Sequence, residues 1–362
     1  MQIAFFGSSL VSAYWNGAAT YYRGIVRALH GRGHHVTFFE PDAYNRQQHR
    51  DMADPPWATV VVYEATEQGV RRALDQARGA DMIVKASGVG VFDEFLEAAV
   101  ADLKCEARTV VFWDVDAPAT LDRVHANSAD RFLALIPQYD VIFTYGGGVP
   151  VMAAYRALGA RECVPIYNAL DPETHFPVAP DARYEGDLAF LGNRLPDREK
   201  RVEDFFLAAA AQLPERRFLL GGAGWDGKPM PPNVRYLNHV YTCDHNALNS
   251  TARTVLNISR DSMASYGFSP ATRVFEAAGA AACLITDAWQ GIDLFFEPGK
   301  EILVARDGNE VACHLIGLSS ERARSVGQAA YRRVLAEHTY AHRAVEVEQV
   351  LEGRRARAGA VV

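Results

Sequence analysis

The chain has 362 residues, 49% hydrophobic and 22% charged, a balance that fits a soluble globular protein with room for two α/β domains. Its net charge of −7 is spread over both halves, which leaves no basic platform for nucleic acid or an anionic lipid surface. No apolar run approaches the roughly 20 residues that span a bilayer, and five scattered cysteines without C-x-x-C spacing argue against a zinc site or a disulfide framework and for a reducing cytoplasm.

The opening MQIAFFGSSL lacks a basic n-region and breaks at Gly7, so it reads as a first strand. Short β-branched or aromatic runs then alternate with helical stretches, the pattern of parallel sheets with crossover helices. Strands are expected near Ile3–Phe6, Val36–Phe39, Val60–Tyr63, Met82–Val84, Val110–Trp113, Val141–Thr144 and Val164–Tyr167, with helices such as Thr20–His30 and Gln68–Arg78 between them. Residues just after such strands are where an open parallel sheet binds its ligands. That selects Ser8, Asn16 and Gly17 after the first strand, for an acceptor or a donor phosphate, and Asp114 and Asp116 in FWDVDAPAT. One of these aspartates is expected either as a general base or as an Asx cap before Pro118. Glu40 ends the second strand, but the loop before it is not G-x-G-x-x-G, so a dinucleotide oxidoreductase stands only as a remote rival. His34 and His35 open the second strand, at its wrong end for chemistry.

NALDPETHFPVAPDARYEGD carries three prolines and no period, and reads as a linker over 171–186 between a first domain, 1–170, and a second, 187–338. The alternation then restarts, with strands near Leu188–Leu191, Phe218–Leu220, Val234–Tyr236, Val255–Ile258, Cys283–Thr286 and Ile302–Val304. Helices are expected at Arg198–Gln212, Pro270–Gly279 and Ser320–Glu337. A last helical piece, Tyr340–Glu352, has no following strand, and 339–362 is expected to cross back to the first domain, ending in a frayed basic tail, GRRARAGAVV. His338 and His342 are spaced for one helical face, where packing is a better account than metal binding.

The densest signal is YGFSPATRVFEAAGAAACLITD. Ser269 before Pro270 reads as a helix cap, and Gly267–Phe268–Ser269 as a turn that offers N–H groups to an anion at the helix start. Arg273 and Glu276 share a helix face. They are either a solvated surface pair or the two halves of a nucleotide site, arginine toward phosphate and glutamate accepting the ribose hydroxyls. After the strand ending at Leu191 come Gly192, Asn193 and Arg194. Arg194 is the first choice of cation for a diphosphate, and Arg198 is either its substitute or part of a charged helix entry. Gly221, Gly222, Gly224 and Trp225 follow the next strand, where Trp225 can seat a base or sugar ring, and Arg260 follows VLNIS.

The run LNISRDSMASYGFSPATRVFEAAGAAACLITDAWQGIDLFFEPGKEILVA resembles the C-terminal half of CgeB-like proteins (the spore maturation protein CgeB family), within the group 1 glycosyltransferases. SERARSVGQAAYRRVLAEHTYAHRA, DLAFLGNRLPDREKRV, FLLGGAGW, GHHVTFFEPD, FWDVDAPATL and NALDPETHF extend the resemblance over most of the chain. It implies a GT-B fold: two Rossmann-like, doubly wound α/β domains with a cleft between them, the nucleotide-sugar donor held mainly by the second. It implies Glu276 as the ribose ligand and a cation in the Arg194 block at the phosphates. The larger group carries a second glutamate eight residues earlier, where this chain has Phe268. The expected activity is transfer of a sugar from a nucleoside-diphosphate donor to an unidentified acceptor, with no metal ligand and no cofactor beyond that co-substrate, and no nucleic-acid or integral-membrane partner. A nucleotide-sugar epimerase and a non-catalytic nucleotide-sugar binder are the alternatives.

Overall fold

The structure, a computed structural model, describes residues 1–359. The chain divides into two compact units, one of Met1–Asn168 with the helix Tyr340–Gly359, the other of Ala169–Thr339.

In the first unit, β1 (Gln2–Phe6), β2 (His35–Asp42), β3 (Thr59–Glu64), β4 (Met82–Ala86), β5 (Thr109–Asp114), β6 (Val141–Thr144) and β7 (Cys163–Pro165) form one parallel sheet in the order β3-β2-β1-β4-β5-β6-β7. Strand order reverses between β1 and β4, the place where such sheets open a crevice at their carboxyl ends. Ile3, Phe5, Phe38, Val84, Phe112, Trp113 and Phe143 are buried, as a sheet covered by helices on both faces requires. The helix Tyr340–Gly359 lies on the helix Ala19–Gly31, close enough that a Cβ on Gly24 would meet the Tyr340 ring at 2.2 Å. Glu348 pairs with Arg32 at 2.6 Å and with His34 at 2.9 Å, and Arg354 pairs with Asp140 and Glu162 at 3.0 and 3.2 Å. The basic tail is therefore helical as far as Gly359 rather than frayed; Ala360–Val362 lie outside the described residues.

In the second unit, β8 (Leu188–Leu191), β9 (Phe218–Gly221), β10 (Val234–Tyr236), β11 (Val255–Asn257), β12 (Leu284–Asp287) and β13 (Leu303–Ala305) are again all parallel, in the order β10-β9-β8-β11-β12-β13. Here the order reverses between β8 and β11. The helix read as Arg198–Gln212 starts at Pro196 and is broken by a π turn over Glu203–Leu207. Residues 171–186, read as a linker, belong to this unit and are strapped onto the helix His245–Thr251. Phe176 N–H donates to Asn246 Oδ1, Val178 N–H to Ser250 Oγ and Asp181 N–H to Thr251 Oγ1. A proline-rich segment with no period can still be fixed in place when neighbouring side chains supply its backbone partners.

Candidate functional site

At the end of β8 the chain must turn without a side chain. A Cβ on Gly192 would meet the Phe190 ring at 2.9 Å, and one on Gly222, at φ +126°, would meet the Gly192 carbonyl at 2.2 Å. This close crossing directs the following helix, Pro196–Val202, so that Arg198 turns back into the unit. Arg198 is 7% exposed; its Nη2 donates to the Asn193 carbonyl at 2.7 Å, its guanidinium stands 6.0 Å from the Phe190 ring, and its Nε has no hydrogen-bond partner. Among the described residues no carboxylate comes within ion-pair distance of it. Burial, aided by the neighbouring Arg273 charge, pulls its pKa down to about 9.

The helix Thr272–Gly279 brings in Arg273, whose guanidinium lies 5.9 Å from the same Phe190 ring and donates through Nη1 to Asn257 Oδ1 at 3.0 Å. Burial lowers its pKa as well. Arg273 and Glu276 share a face, as the spacing predicts, and among the described residues they form no ion pair, although the Glu276 charge pulls the Arg273 pKa upward against burial; both are half-buried rather than a solvated surface pair. Behind them, Asn257 Nδ2 and Ser259 donate to the buried Asp287 at the end of β12, and Asp287 also accepts from Arg201 Nη2 at 2.6 Å. These groups gather at the carboxyl ends of β8, β11 and β12, around the reversal in strand order.

Several expectations are corrected. Arg194, the first choice of cation, is tied to Glu199 at 2.7 Å; Lys228 joins that carboxylate at 2.8 Å, and the two hold Glu199 down to about 2. Arg194 is thus already paired within the chain, whereas Arg198 forms no ion pair among the described residues. Arg260 pairs with Asp197 at 2.5 Å. Trp225 is no ring platform: it is 1% exposed in the core, with Nε1 donating to the Gly192 carbonyl at 2.8 Å. Asn193 is exposed and accepts from Ala223 N–H through Oδ1.

The turn before the helix also differs from its reading. Ala271, not Ser269, takes the cap position, because Ser269 Oγ donates locally to the Gly267 carbonyl. Gly267 N–H is used by Met263 and Phe268 N–H by Gln290, leaving Ser269 and Ala271 N–H without an intramolecular acceptor among the described residues. Gly267 at φ +69° and Phe268 at φ +47° shape this turn, and the Phe268 ring fits against Gly291, where a Cβ would meet it at 2.3 Å.

Glu276 faces two residues that sequence reasoning missed. His175, on the strap, places Nε2 3.9 Å from Glu276 Oε1, and His245 completes a group whose ligand-capable atoms all lie within 4.8 Å of one another. Burial lowers the pKa of His245, against an upward pull from Glu276. Nothing local in the sequence joins residues 175, 245 and 276. His338 packs among Phe275, Phe295 and Phe296, as expected of a core histidine.

In the first unit the candidate polar residues are absorbed by the scaffold. Ser8 Oγ donates to Asn16 Oδ1 at 2.9 Å, and Asn16 Nδ2 donates to the Ser9 and Ser12 carbonyls. Gly17 is exposed with open space about its Cα. Glu40 is fully buried and accepts from Ser9 Oγ, Leu10 N–H and Gln47 Nε2, so it braces the loop rather than greeting a dinucleotide ribose. Asp114 is fully buried and accepts from Ser87, Thr120, Tyr155 and the Asp116 N–H; burial raises its pKa. Its four donors make it a structural carboxylate, not a base. Asp116 stands half-buried at the start of the helix Ala117–Ala126 and makes no side-chain cap bond.

Among the described residues no helix is long and apolar enough to cross a membrane. No curated protein matches the chain. Residues 198–349 match the family described as glycosyl transferase-like. Among solved structures, sucrose-phosphate synthase from Thermosynechococcus elongatus superposes with a TM-score of 0.70 at 17% identity, covering 99% of this chain and 100% of that one. HepE from Anabaena, in complex with UDP-glucose, gives 0.67 at 13% over 98% and 100%. An α-glucosyltransferase in complex with UDP-glucose and DNA containing an abasic site gives 0.70 at 13% over 97% and 99%. At these identities the likeness establishes the fold alone, two Rossmann-like units of the GT-B type, while residues 198–349 are similar to the glycosyl transferase-like family.

Proposed function

We propose that the protein transfers a sugar from a nucleoside-diphosphate donor to an acceptor hydroxyl, and that it lies in the CgeB-like branch of these enzymes. The observation that carries the reading is a pair of guanidiniums, buried Arg198 and half-buried Arg273, set beside one phenylalanine ring and neither of them in an ion pair among the described residues. Uncompensated buried charge is costly. A diphosphate supplies the missing negative charge at the β8/β11 reversal, with Ser269 and Ala271 N–H at the helix start as further donors. Glu276, three residues from Arg273, then accepts the ribose hydroxyls, as the structurally similar UDP-glucose complexes make reasonable.

In this reading Arg198 and Arg273 stabilise the charge that grows on the departing diphosphate, in a site where water does not screen it. The pyrophosphate step draws on these guanidiniums rather than on a metal. Asp116 takes the proton of the attacking hydroxyl. Asp116→Asn is then expected to slow turnover while leaving donor affinity unchanged.

A thermal-shift panel of nucleoside diphosphates and their sugars tests the reading. A stabilisation by one nucleotide class, lost in Arg198→Gln and in Glu276→Ala, supports it; no stabilisation by any of them defeats it. Phe268 at the position of the group's first glutamate favours one second reading, a nucleotide-sugar binder without transfer. Slow donor hydrolysis by the purified protein counts against that alternative.

A further inference from the structure

The histidines beside Glu276 have hydrogen-bond directions that can be worked out. Thr174 Oγ1 has one proton, and its 3.1 Å bond to the Asp171 carbonyl uses it, because a carbonyl only accepts. At the 3.0 Å contact between Thr174 Oγ1 and His175 Nδ1 the imidazole is therefore the donor. In the neutral ring the proton sits on Nδ1 and Nε2 presents a lone pair. That Nε2 is buried, has no hydrogen-bond partner, belongs to a residue only 4% exposed, and points toward Glu276 Oε1.

His245 follows the same logic. Its Nε2 meets the Val240 carbonyl at 3.3 Å and so carries the proton there, which leaves Nδ1 as the lone pair. A ligand-capable atom of each of His175, His245 and Glu276 lies within 4.8 Å of the others, and the buried His175 Nε2 has no hydrogen-bond partner, a vacancy that a cation at the centre of the group would fill.

We propose that His175, His245 and Glu276 bind a divalent transition-metal ion of the zinc or cobalt type. Two imidazoles and one carboxylate are a donor set suited to these ions, and each ring is oriented by a hydrogen bond from its other nitrogen, as metal-bound histidines are. Ligand atoms around a tetrahedral zinc sit roughly 3.4 Å apart, so small side-chain rotations close the present spread of up to 4.8 Å. The Arg273 charge disfavours ions held by charge alone, such as magnesium or calcium, over ions that bond to nitrogen. The ion joins the strap at His175 to the helices His245–Thr251 and Thr272–Gly279 and fixes one oxygen of Glu276. Insofar as the other oxygen is left for a ribose, the role rests on the function proposed above; the site itself does not.

Cobalt(II) titrated into metal-free protein, with no nucleotide present, tests the ion alone. One equivalent is expected to give a visible absorption band of nitrogen-ligated cobalt and to raise the melting temperature. His175→Ala and His245→Ala are expected to weaken binding by at least ~100-fold, while the exposed His125→Ala leaves it unchanged. If either site variant fails to fold, X-ray absorption on the wild-type adduct decides, since the site requires two imidazole ligands. No band, or a band that survives both substitutions, or a spectrum without two imidazoles, overturns the proposal. The nucleotide panel, run on metal-free protein, stands or falls separately.

Discussion

The loops that follow the first strand of each unit invite comparison, because both leave a parallel strand at a reversal in strand order. After β1, Ser8, Ser9, Asn16 and Glu40 are buried polar groups that satisfy one another almost completely. After β8, Arg198 is equally buried, yet among the described residues its Nε has no hydrogen-bond partner and its guanidinium no ion pair. A closed polar network holds a loop in place, although Arg46, whose Nη1 donates to the Ser8 carbonyl, also has a buried Nε without a hydrogen-bond partner. An open one carries a desolvation cost that its own chain does not return, and in the function proposed above a bound diphosphate returns it.

The strongest way to break this contrast is at the open loop. Arg198→Gln is expected to remove charge-assisted bonds of about 1.5–3 kcal/mol and weaken nucleoside-diphosphate binding roughly 10- to 150-fold, read by calorimetric titration. An unchanged dissociation constant would erase the distinction. The matching substitution, Glu40→Gln on β2 where it accepts from the closed loop, is expected to cost about 1–3 kcal/mol of stability in urea unfolding without altering that constant.

The acidity of Arg198 sharpens the comparison. A bound diphosphate raises its pKa above the free value of about 9, so the complex holds a proton that the free protein sheds at higher pH. Affinity is therefore expected to be flat below pH 8.5 and to fall up to about tenfold between pH 9 and 10, with the fall absent in Arg198→Gln. The smallest effect is expected at Arg194→Ala. Its guanidinium is a third exposed and already paired with Glu199, so affinity should change by less than about threefold.

All thirteen strands were legible, because a parallel strand buried on both faces must be a short apolar run bounded by turn residues. So was the shared face of Arg273 and Glu276, which follows from helical period. Less legible was the start of their helix. Ser-Pro is a sound N-terminal signal, but Ser269 found a nearer acceptor in Gly267, and the cap moved to Ala271. The aspartates of FWDVDAPAT illustrate the same limit: alternation in the chain does not distinguish Asp114, enclosed by four donors, from Asp116 two residues later.

Local pattern, then, settled the alternation of strand and helix, the parallel sheets and the strand ends where ligands gather, since each depends on neighbours within a few residues. Which polar side chain at those ends is spent and which is spare was settled by folding alone. Arg194 and Arg198 are the same residue type four positions apart, and Glu199 claims one of them. His175, His245 and Glu276 meet only because the strap folds back on the helix His245–Thr251. Hydrogen bonds and ion pairs act over about 3 Å of space, and no separation along the chain records that distance.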